Sequence, residues 1–475
     1  MQRFPKLSLE PNEYDAVWRV DGHPLPGKVA LLEEVPPRGE IYDDTIPPEG
    51  ASFPKPEERA RLRGHLRRGD DIVLGDVALS TWFPGHRTLN ARWAVVGMGL
   101  DRVPDLAFTR ARLQVSGLDT FFGVAPIKSR GWPVEPIDED QETFSATSNP
   151  ESNLSWEAEG VRVIASYDCQ FAFADVYQQL VQFAPVLTIE VETPLSVDDW
   201  VERWVRPLVR FVTFATNAQQ NLSWVSLSWD GEGEPSASSE PVNAQLFGSG
   251  MSQVGYGAAA PALRSKRPLL TLAGLQTPFP DLVERWRALD EDENVFFALF
   301  RMVISQPELP NRARYLFLVQ ALESLHGVEH QAEDEASQTA FQTDRKRVLT
   351  ELDEVGLNTD SLRFIKKNWS KRRPDSLARR LRDLIAWLPQ VAADEVQALA
   401  STSIANYLEE CAGQELDVET LLQGLRNELS HGNSHWDEGT VAPWSDALEL
   451  ACRLHVLRLL GFDNQQIEEV AIASR

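Results

Sequence analysis

The spacing of apolar residues changes part-way along the chain, and this change divides the sequence into two regions. Up to about residue 230 apolar and polar residues alternate, as at residues 109–115 and 187–191, and this alternation predicts β-strands. From Pro280 onwards apolar residues recur at every third or fourth position, which predicts helices. One helix is also expected in the first region, where Ser196 precedes a helically spaced apolar series that begins at Trp200. The sequence therefore predicts an α+β, multidomain chain, with a β-rich, sandwich-like region followed by an all-α region.

A stretch rich in glycine, serine and proline lies between the two regions. Residues 230–262 have the composition of a long loop or an insertion. We therefore predict a β-rich N-terminal domain over residues 1–275, with a flexible segment at about 230–262. A helical domain with a lead-in helix is predicted over residues 276–475.

Charge and cysteine content exclude several classes of protein. The chain has 46 Lys+Arg and 71 Asp+Glu, and its net charge of −25 argues against nucleic-acid or anionic-membrane binding over the whole surface. Three cysteines are too few for a disulfide framework and favour a reducing compartment. No apolar run approaches the roughly 18 residues of a membrane span, and the first residues lack the apolar core of a signal peptide. We therefore expect a cytoplasmic protein without a membrane partner, in which any nucleic-acid site is local.

The common signatures of nucleotide and metal sites are missing from the sequence. Gly255 and Gly257 are not followed by a third glycine, and there is no phosphate-binding loop of the Walker type. His326 and His330 lie four residues apart, but we expect the helix to end near Gly327, between them, and zinc requires three or four placed ligands. We therefore predict no cofactor and no metal site.

Residues 425–432 contain the strongest candidate for chemistry, because an arginine and a histidine lie five residues apart. Arg426 offers a permanent planar cation that can bind a phosphoryl group through two hydrogen bonds. Histidine, here His431, is the residue type that exchanges protons near neutral pH, with a ribose 2′-hydroxyl or with a leaving oxygen. Together the two side chains suit RNA cleavage without a metal ion, in which the 2′-oxygen attacks the adjacent phosphate. The alternative is a salt-bridging arginine and a capping histidine at a helix end before Gly432.

Two segments together resemble a known family. Residues 315–326 have the pattern Tyr-Leu-x-Leu-x-Gln-Ala-Leu-Glu-x-Leu-His, and residues 426–432 have the pattern Arg-Asn-x-Leu-x-His-Gly. The pair resembles the Apea-like HEPN domain (higher eukaryotes and prokaryotes nucleotide-binding) over roughly residues 278–475, and the region before it is loosely similar to the β-rich domain that precedes such modules. The resemblance implies a HEPN helical bundle that acts as a dimeric, metal-independent endoribonuclease of the abortive-infection type, in bacterial defence against phage.

The resemblance also implies roles for individual residues. The family's R-x(4–6)-H motif falls on Arg426 and His431, and its polar residue after the arginine falls on Asn427. His431 would act as general acid or base, Arg426 would stabilise the phosphorane, and Asn427 would position the phosphate or ribose. The β-rich domain would have a sensing or regulatory role and respond to a phage-derived trigger.

The spacing of the motif poses a geometric problem. On an ideal helix five residues place Arg426 and His431 about 140° apart, so the two side chains diverge. The helix can be distorted near Gly432, the long arginine can wrap round the helix, or two copies of the motif can face each other across a twofold axis. The family favours the last arrangement, which requires a homodimer or a higher even oligomer.

Two further sets of residues are candidates for supporting roles. Glu323 lies at the edge of the apolar stripe of its helix, where it can pair with Arg426 and orient it, or remain a solvated flank residue. Between Arg363 and Arg382 nine residues are basic and only Asp375 is acidic. This segment can contact an RNA backbone, or form an ordinary solvated face, or dock on an acidic surface of its own chain. The residues predicted to bind RNA are Lys371, Arg372, Arg373, Arg379 and Arg380.

A non-catalytic role is the alternative to the nuclease. Some HEPN domains are binding modules, so the fold does not guarantee the reaction. In that case the helical domain dimerises and the β-rich domain binds a ligand or a partner such as a phage component.

Overall fold

Strands fill the N-terminal part of the chain, and helices fill the C-terminal part. The computed structural model describes residues 8–43, 56–83, 85–131, 145–175, 178–230, 241–253, 268–291, 294–370, 376–432 and 436–473. Contacts divide the chain into two units, residues 1–287 and 288–475. The predicted α+β class, with a β-rich region before a helical one, is confirmed. Within the described ranges, no helix combines the length and the apolar character required to cross a bilayer.

The first unit is built on strands. They are β1 (Asn12–Val20), β2 (His23–Leu31), β3 (Arg38–Asp43), β4 (Glu57–Leu66), β5 (Asp71–Phe83), β6 (Gly85–Asn90), β7 (Trp93–Gly97), β8 (Ala107–Val115), β9 (Ile127–Gly131), β10 (Ser145–Ser148), β11 (Leu154–Ala158), β12 (Val161–Asp175), β13 (Gln178–Ser196), β14 (Leu222–Trp229) and β15 (Val242–Gly248). The alternating residues 109–115 and 187–191 lie in β8 and β13, as their period predicts.

Six strands close into a barrel, in the order β5-β4-β1-β2-β3-β6, because β5 also pairs with β6. β5 is long enough to pair with two strands along the same edge: its residues 78–83 pair with β6, and its residues 71–75 pair with β7. Beyond β7 the sheet continues as β15-β14-β8-β13-β12-β11, and β9 and β10 form a separate pair. The sandwich-like layout expected from the sequence is therefore a barrel that opens into an extended antiparallel sheet.

Trp18 is fully buried in the barrel core and requires glycine on two neighbouring strands. A Cβ atom at Gly27 would lie 2.8 Å from Cδ1 of Trp18, and one at Gly64 would lie 2.7 Å from Cε3. Neither distance is possible without movement of the indole. The absence of a side chain at these two positions therefore makes room for the largest residue of the barrel core.

A helix packs on the extended sheet, as predicted at Ser196. The Ser196 hydroxyl accepts a hydrogen bond from the Asp199 N–H at 3.1 Å and so caps α2 (Val197–Asp199). A π-helical turn (Trp200–Val205) and α3 (Arg206–Thr216) follow, and most of their apolar side chains are buried.

The lead-in helix α4 (Phe279–Glu291) packs on α3 in the first unit, where α1 (Leu118–Phe122) also lies. The Phe211 ring lies 5.7 Å from that of Phe279 and 5.5 Å from that of Trp286, centroid to centroid. The predicted boundary between residues 275 and 276 therefore precedes the division after Arg287, because α4 buries its aromatic residues on the β-rich unit.

The predicted flexible segment at 230–262 is interrupted by a strand. Residues 231–240 and 254–267 lie outside the described residues. Between them β15 pairs with β14 and β7, and Val242, Ala244 and Leu246 are buried. Residues 242–248 thus form a strand within the predicted loop or flexible segment, because their period-two apolar pattern fits the centre of a sheet.

The second unit is helical. Its helices are α5 (Val295–Ser305), α6 (Asn311–Glu329), α7 (Gln331–Glu354), α8 (Thr359–Asn368), α9 (Leu377–Trp387), α10 (Gln390–Ala398), α11 (Ser403–Ala412), α12 (Val418–Ser430), α13 (Glu438–Leu459) and α14 (Asn464–Ala473). The predicted apolar stripe of α6, which includes Tyr315, Leu318 and Leu322, is buried against α5, α9, α12 and α13. α6 is therefore the central helix of this unit.

Candidate functional site

The predicted motif lies at the C-terminal end of α12. The Asp417 carboxylate caps the start of this helix by accepting the Thr420 N–H at 2.9 Å. Hydrogen bonding from Thr420 and the nearby Arg382 lower the pKa of Asp417 below its ordinary value. The core face of α12 is apolar and buried, with Leu421, Leu425 and Leu429 among its residues. The motif residues therefore lie on the remaining, outer part of the helix.

Arg426 is half-buried, whereas Asn427 and His431 are exposed. Nη1 of Arg426 donates a long hydrogen bond of 3.4 Å to Oδ1 of Asn427, so the guanidinium bends round the helix towards the next residue. His431 follows the last helical residue, and its backbone N–H donates to the Asn427 carbonyl at 3.1 Å. Gly432 then has φ +73°, the left-handed conformation that commonly ends a helix.

The functional side chains of the motif make few contacts. Within the described part of the chain, Arg426 forms no ion pair and the His431 imidazole has no hydrogen-bond partner. Both the guanidinium and the imidazole therefore keep donors or acceptors for another molecule. The arginine therefore differs from the structural alternative, in which it would form an intramolecular salt bridge, whereas His431 does lie at the C-cap position that the alternative gives it.

Two residues of α6 hold α12 in place. The buried Tyr315 hydroxyl donates to the Leu422 carbonyl at 2.7 Å, one turn before Arg426, and such a bond contributes about 1 kcal/mol. Arg312 donates from Nη2 to the Leu429 carbonyl, one of the last-turn carbonyls that lack a helical partner. Arg312 therefore caps the end of α12. Its guanidinium is a second cation near the motif, because the carbonyl it binds lies two residues before His431.

Sequence reasoning missed Arg312, although a signal for it exists. Arg312 and Tyr315 lie three residues apart and so share one face of α6. Tyr315 was predicted to face the core, and a cation one turn before it is well placed to reach a neighbouring helix end.

Glu323 does not lie beside Arg426. Its Oε1 lies 3.8 Å from Nη1 of Arg380 on α9. α6 and α12 run antiparallel, because Arg312 meets Leu429 and Tyr315 meets Leu422. Glu323 is two turns beyond Tyr315, about 12 Å further from the motif. The prediction that Glu323 orients Arg426 is therefore corrected, and Glu323 pairs with Arg380 instead.

The basic segment is only partly described, since Lys371, Arg372 and Arg373 lie outside the described residues. Arg379 is exposed and forms no ion pair with a described carboxylate. Arg380 lies between Glu323 and Asp334, 3.7 Å from the latter.

Neighbouring residues of this segment also make contacts within the chain. Nη2 of Arg382 lies 2.6 Å from Oδ2 of Asp417. The guanidinium of Arg345 covers the Trp369 ring at 5.7 Å, which occupies one face of the indole. Part of the basic segment therefore docks on carboxylates of its own chain, as the alternative interpretation holds.

The histidines outside the motif have structural surroundings. α6 continues through Gly327 to Glu329, contrary to the expected helix end, and Nε2 of the buried His326 lies 3.0 Å from Asp383. Burial and the nearby Arg458 lower the pKa of His455 to about 3, so this core histidine is neutral. Among the described residues, no group of three or more His, Cys, Asp or Glu side chains is arranged to hold a metal ion.

In the comparison with protein families, the chain matches the family model of the ApeA N-terminal domain 1. The match covers residues 39–286, which is more than half of the chain. The chain belongs to this family. Searches of curated proteins and of solved structures found no match. The ApeA match ends at residue 286 and so includes most of the lead-in helix α4, which packs on the β-rich unit.

Membership in the ApeA family indicates an anti-phage defence protein. The predicted relation to ApeA-type proteins is confirmed for residues 39–286, which hold most of the β-rich region and of α4. The helical region that carries Arg426 and His431 lies beyond the matched residues, so its assignment to the HEPN family stays a prediction.

Proposed function

We propose that this ApeA-type defence protein is a metal-independent endoribonuclease that acts on RNA in the cytoplasm during phage infection. The observation that carries the proposal is the outer face and end of α12, where an exposed His431 and a half-buried Arg426 have no ion pair with a described residue. The family match supports the defence context, and the resemblance of residues 278–475 to the HEPN domain implies abortive infection by RNA cleavage.

The proposed reaction uses the motif residues in distinct roles. His431 takes the proton from a ribose 2′-hydroxyl, or returns a proton to the 5′-oxygen that leaves. The 2′-oxygen bonds to the adjacent phosphorus, the bond from phosphorus to the 5′-oxygen breaks, and a 2′,3′-cyclic phosphate remains. Arg426 stabilises the additional negative charge on the phosphorane, and Asn427 positions the phosphate or ribose by hydrogen bonding.

We further propose that the active species is a homodimer or higher even oligomer, and that the β-rich unit senses a phage-derived trigger. The divergence of Arg426 and His431 on one helix supports the first point, because two facing copies can bring one arginine to the other histidine. The family match supports the second, because it is to an N-terminal domain of a defence protein and ends before the residues of the motif.

The proposal is tested by incubating purified protein with total RNA in EDTA. Wild type should yield fragments that end in a cyclic phosphate, and Arg426→Ala and His431→Ala should lower the rate at least about 100-fold. Arg347→Ala and His330→Ala are matched controls, because both residues lie on the second unit outside the motif and their ion pairs are with exposed carboxylates. They should cleave like wild type. Identical RNA profiles for all five proteins would favour the non-catalytic binding module.

A further inference from the structure

An exposed aromatic pair lies beside the end of α12. Tyr407 belongs to α11, and Trp436 follows α12 in the chain. Their ring centroids are 5.4 Å apart and their planes meet at 83°, an edge-to-face contact. Tyr407 is 43% exposed and Trp436 is half-buried. Both rings therefore present aromatic surface to solvent.

The position of this pair relative to the motif follows from the helical phase of α12. Four residues share one face, because they lie three, one and three positions apart: Gly424, Asn427, Glu428 and His431. α11 packs on this face, because a Cβ atom at Gly424 would lie 3.3 Å from Cδ1 of Leu408. Leu408 is the residue after Tyr407. The aromatic pair thus flanks the face that carries Asn427 and His431.

Two further observations agree with this placement. The Cys411 thiol and, less strongly, the Glu428 carboxylate raise the pKa of Tyr407, in agreement with a Tyr407 ring that flanks the face of α12 carrying Glu428. Trp436 is only five residues after His431, so the two Cα atoms are at most about 18 Å apart. The ring contact with Tyr407 therefore brings Trp436 back towards the same end of the helix.

We propose that Tyr407 and Trp436 form a stacking subsite for a nucleobase of single-stranded RNA, next to the phosphate on which Arg426 and His431 act. The proposal rests on the nuclease function. Stacking on aromatic rings requires unstacked bases and tolerates any sequence, so the subsite selects single strands rather than a particular base. It also supplies affinity that does not depend on charge, which matters in a chain whose net charge of −25 repels phosphates.

The test measures binding of a short fluorescent single-stranded RNA by anisotropy, in the full chain with His431→Ala to prevent cleavage. Tyr407→Ala and Trp436→Ala should each weaken binding about tenfold or more, and Tyr407→Phe should retain the affinity because the ring is kept. Ile472→Ala is the control, since Ile472 is 55% exposed on α14, outside the basic segment, and it should bind like the parent.

A set of RNA probes, each with one abasic ribose at a different position, distinguishes stacking from a structural role of the pair. One of these probes should bind the parent about tenfold more weakly than intact RNA, and Tyr407→Ala should abolish that difference. If Tyr407→Ala keeps the difference, or if Ile472→Ala weakens binding equally, the subsite is refuted while the nuclease stands. If wild type neither binds nor cleaves RNA, the proposed function itself is refuted.

Discussion

Neighbouring arginines of the basic segment differ in how much of their charge is available to a ligand. Arg379 is exposed without an ion pair among the described residues, whereas Arg382 is 54% exposed and lies 2.6 Å from the Asp417 carboxylate. A phosphate that approaches Arg382 must compete with Asp417, but one that approaches Arg379 has no such competitor. The availability of a cation therefore depends on its partner and not only on its place in a basic run.

We predict that Arg379→Ala weakens single-stranded RNA binding and makes it less salt-dependent. Loss of one phosphate contact should lower the slope of log affinity against log salt by about 0.7. The measurement is a series of anisotropy titrations at increasing salt with the full-length His431→Ala protein. Arg382→Ala serves as the control and should change the slope much less, because its charge is already paired. Equal slopes for Arg379→Ala and its parent would remove Arg379 from the RNA-binding surface.

At the scale of elements, α6 organises the helical unit through contacts made by successive turns. Arg312 and Tyr315 bind carbonyls of α12, and Arg314 binds Glu449 of α13 with an Nε–Oε2 distance of 2.9 Å. Glu449 also accepts from Arg453, whose Nη2 is 2.6 Å from Oε1. The nearly buried carboxylate of Glu449 thus lies between two guanidiniums, and it fixes α13, the helix that follows α12 in the chain.

The surroundings of Glu449 predict how stability depends on pH. Burial alone would raise the pKa of Glu449, but the charges of Arg453 and Arg314 lower it below its ordinary value. Since the folded pKa is below the unfolded one, about 4.3, the carboxylate contributes stability above that pH. The contribution is lost as pH falls through the folded pKa.

We therefore predict that Glu449→Gln lowers the free energy of unfolding by about 2–4 kcal/mol at neutral pH, because the buried Arg453 and the half-buried Arg314 lose the charged partner they share. The deficit should shrink as pH is lowered below about 4. Urea unfolding of the full chain, followed by far-UV circular dichroism at several pH values, measures it. Glu351→Gln is the control, since Glu351 is 59% exposed, and it should change stability by less than about 0.5 kcal/mol. A deficit that stays constant with pH would contradict the ionised state assigned to Glu449.

Local pattern predicted the elements, but not the pairing between distant ones. The stripe of α6 and the cap at Ser196 are local features, and both are present in the structure. The closure of the barrel depends on pairing of β5 with both β6 and β7, and period-two alternation is the same in a barrel and in a sandwich. β15 was missed because the glycine- and serine-rich residues on both sides of it dominated the composition of the segment.

The same limit applies to the candidate site. The positions of Arg426, Asn427 and His431 at an exposed helix end follow from the apolar pattern of α12 and from Gly432. The partner of Glu323 depends on the antiparallel packing of α6 against α12, which no local pattern specifies. Spacing alone could not show that Arg312, more than a hundred residues earlier, reaches the end of the same helix.

At the scale of the whole molecule, an acidic chain must assemble its cations if it is to act on RNA. The net charge of −25 repels polyanions at long range, so affinity requires a local concentration of positive charge and of stacking surface. A twofold assembly that brings two ends of α12 together would place two copies each of Arg312, Arg426 and His431 in one cleft. Dimerisation would then supply the charge density that one chain lacks.

This arrangement predicts that two inactive variants complement each other. If each site uses Arg426 from one copy and His431 from the other, a heterodimer of Arg426→Ala with His431→Ala contains one complete site and one empty site. It should therefore cleave RNA at about half the wild-type rate, although each variant alone is inactive. The heterodimer is purified through two different affinity tags, and the rate is measured with labelled RNA in EDTA.

The matched control pairs a wild-type chain with one that carries both substitutions. If the sites are shared, the doubly substituted chain contributes one altered residue to each of the two sites. Each site then lacks either Arg426 or His431, so this heterodimer should be inactive. If instead each chain contains a whole site, the outcomes reverse: the complementing heterodimer is inactive, and the control keeps about half of the activity. The comparison therefore decides whether Arg426 and His431, which an ideal helix places about 140° apart, act together from two chains or from one. The result does not depend on how fast either dimer forms.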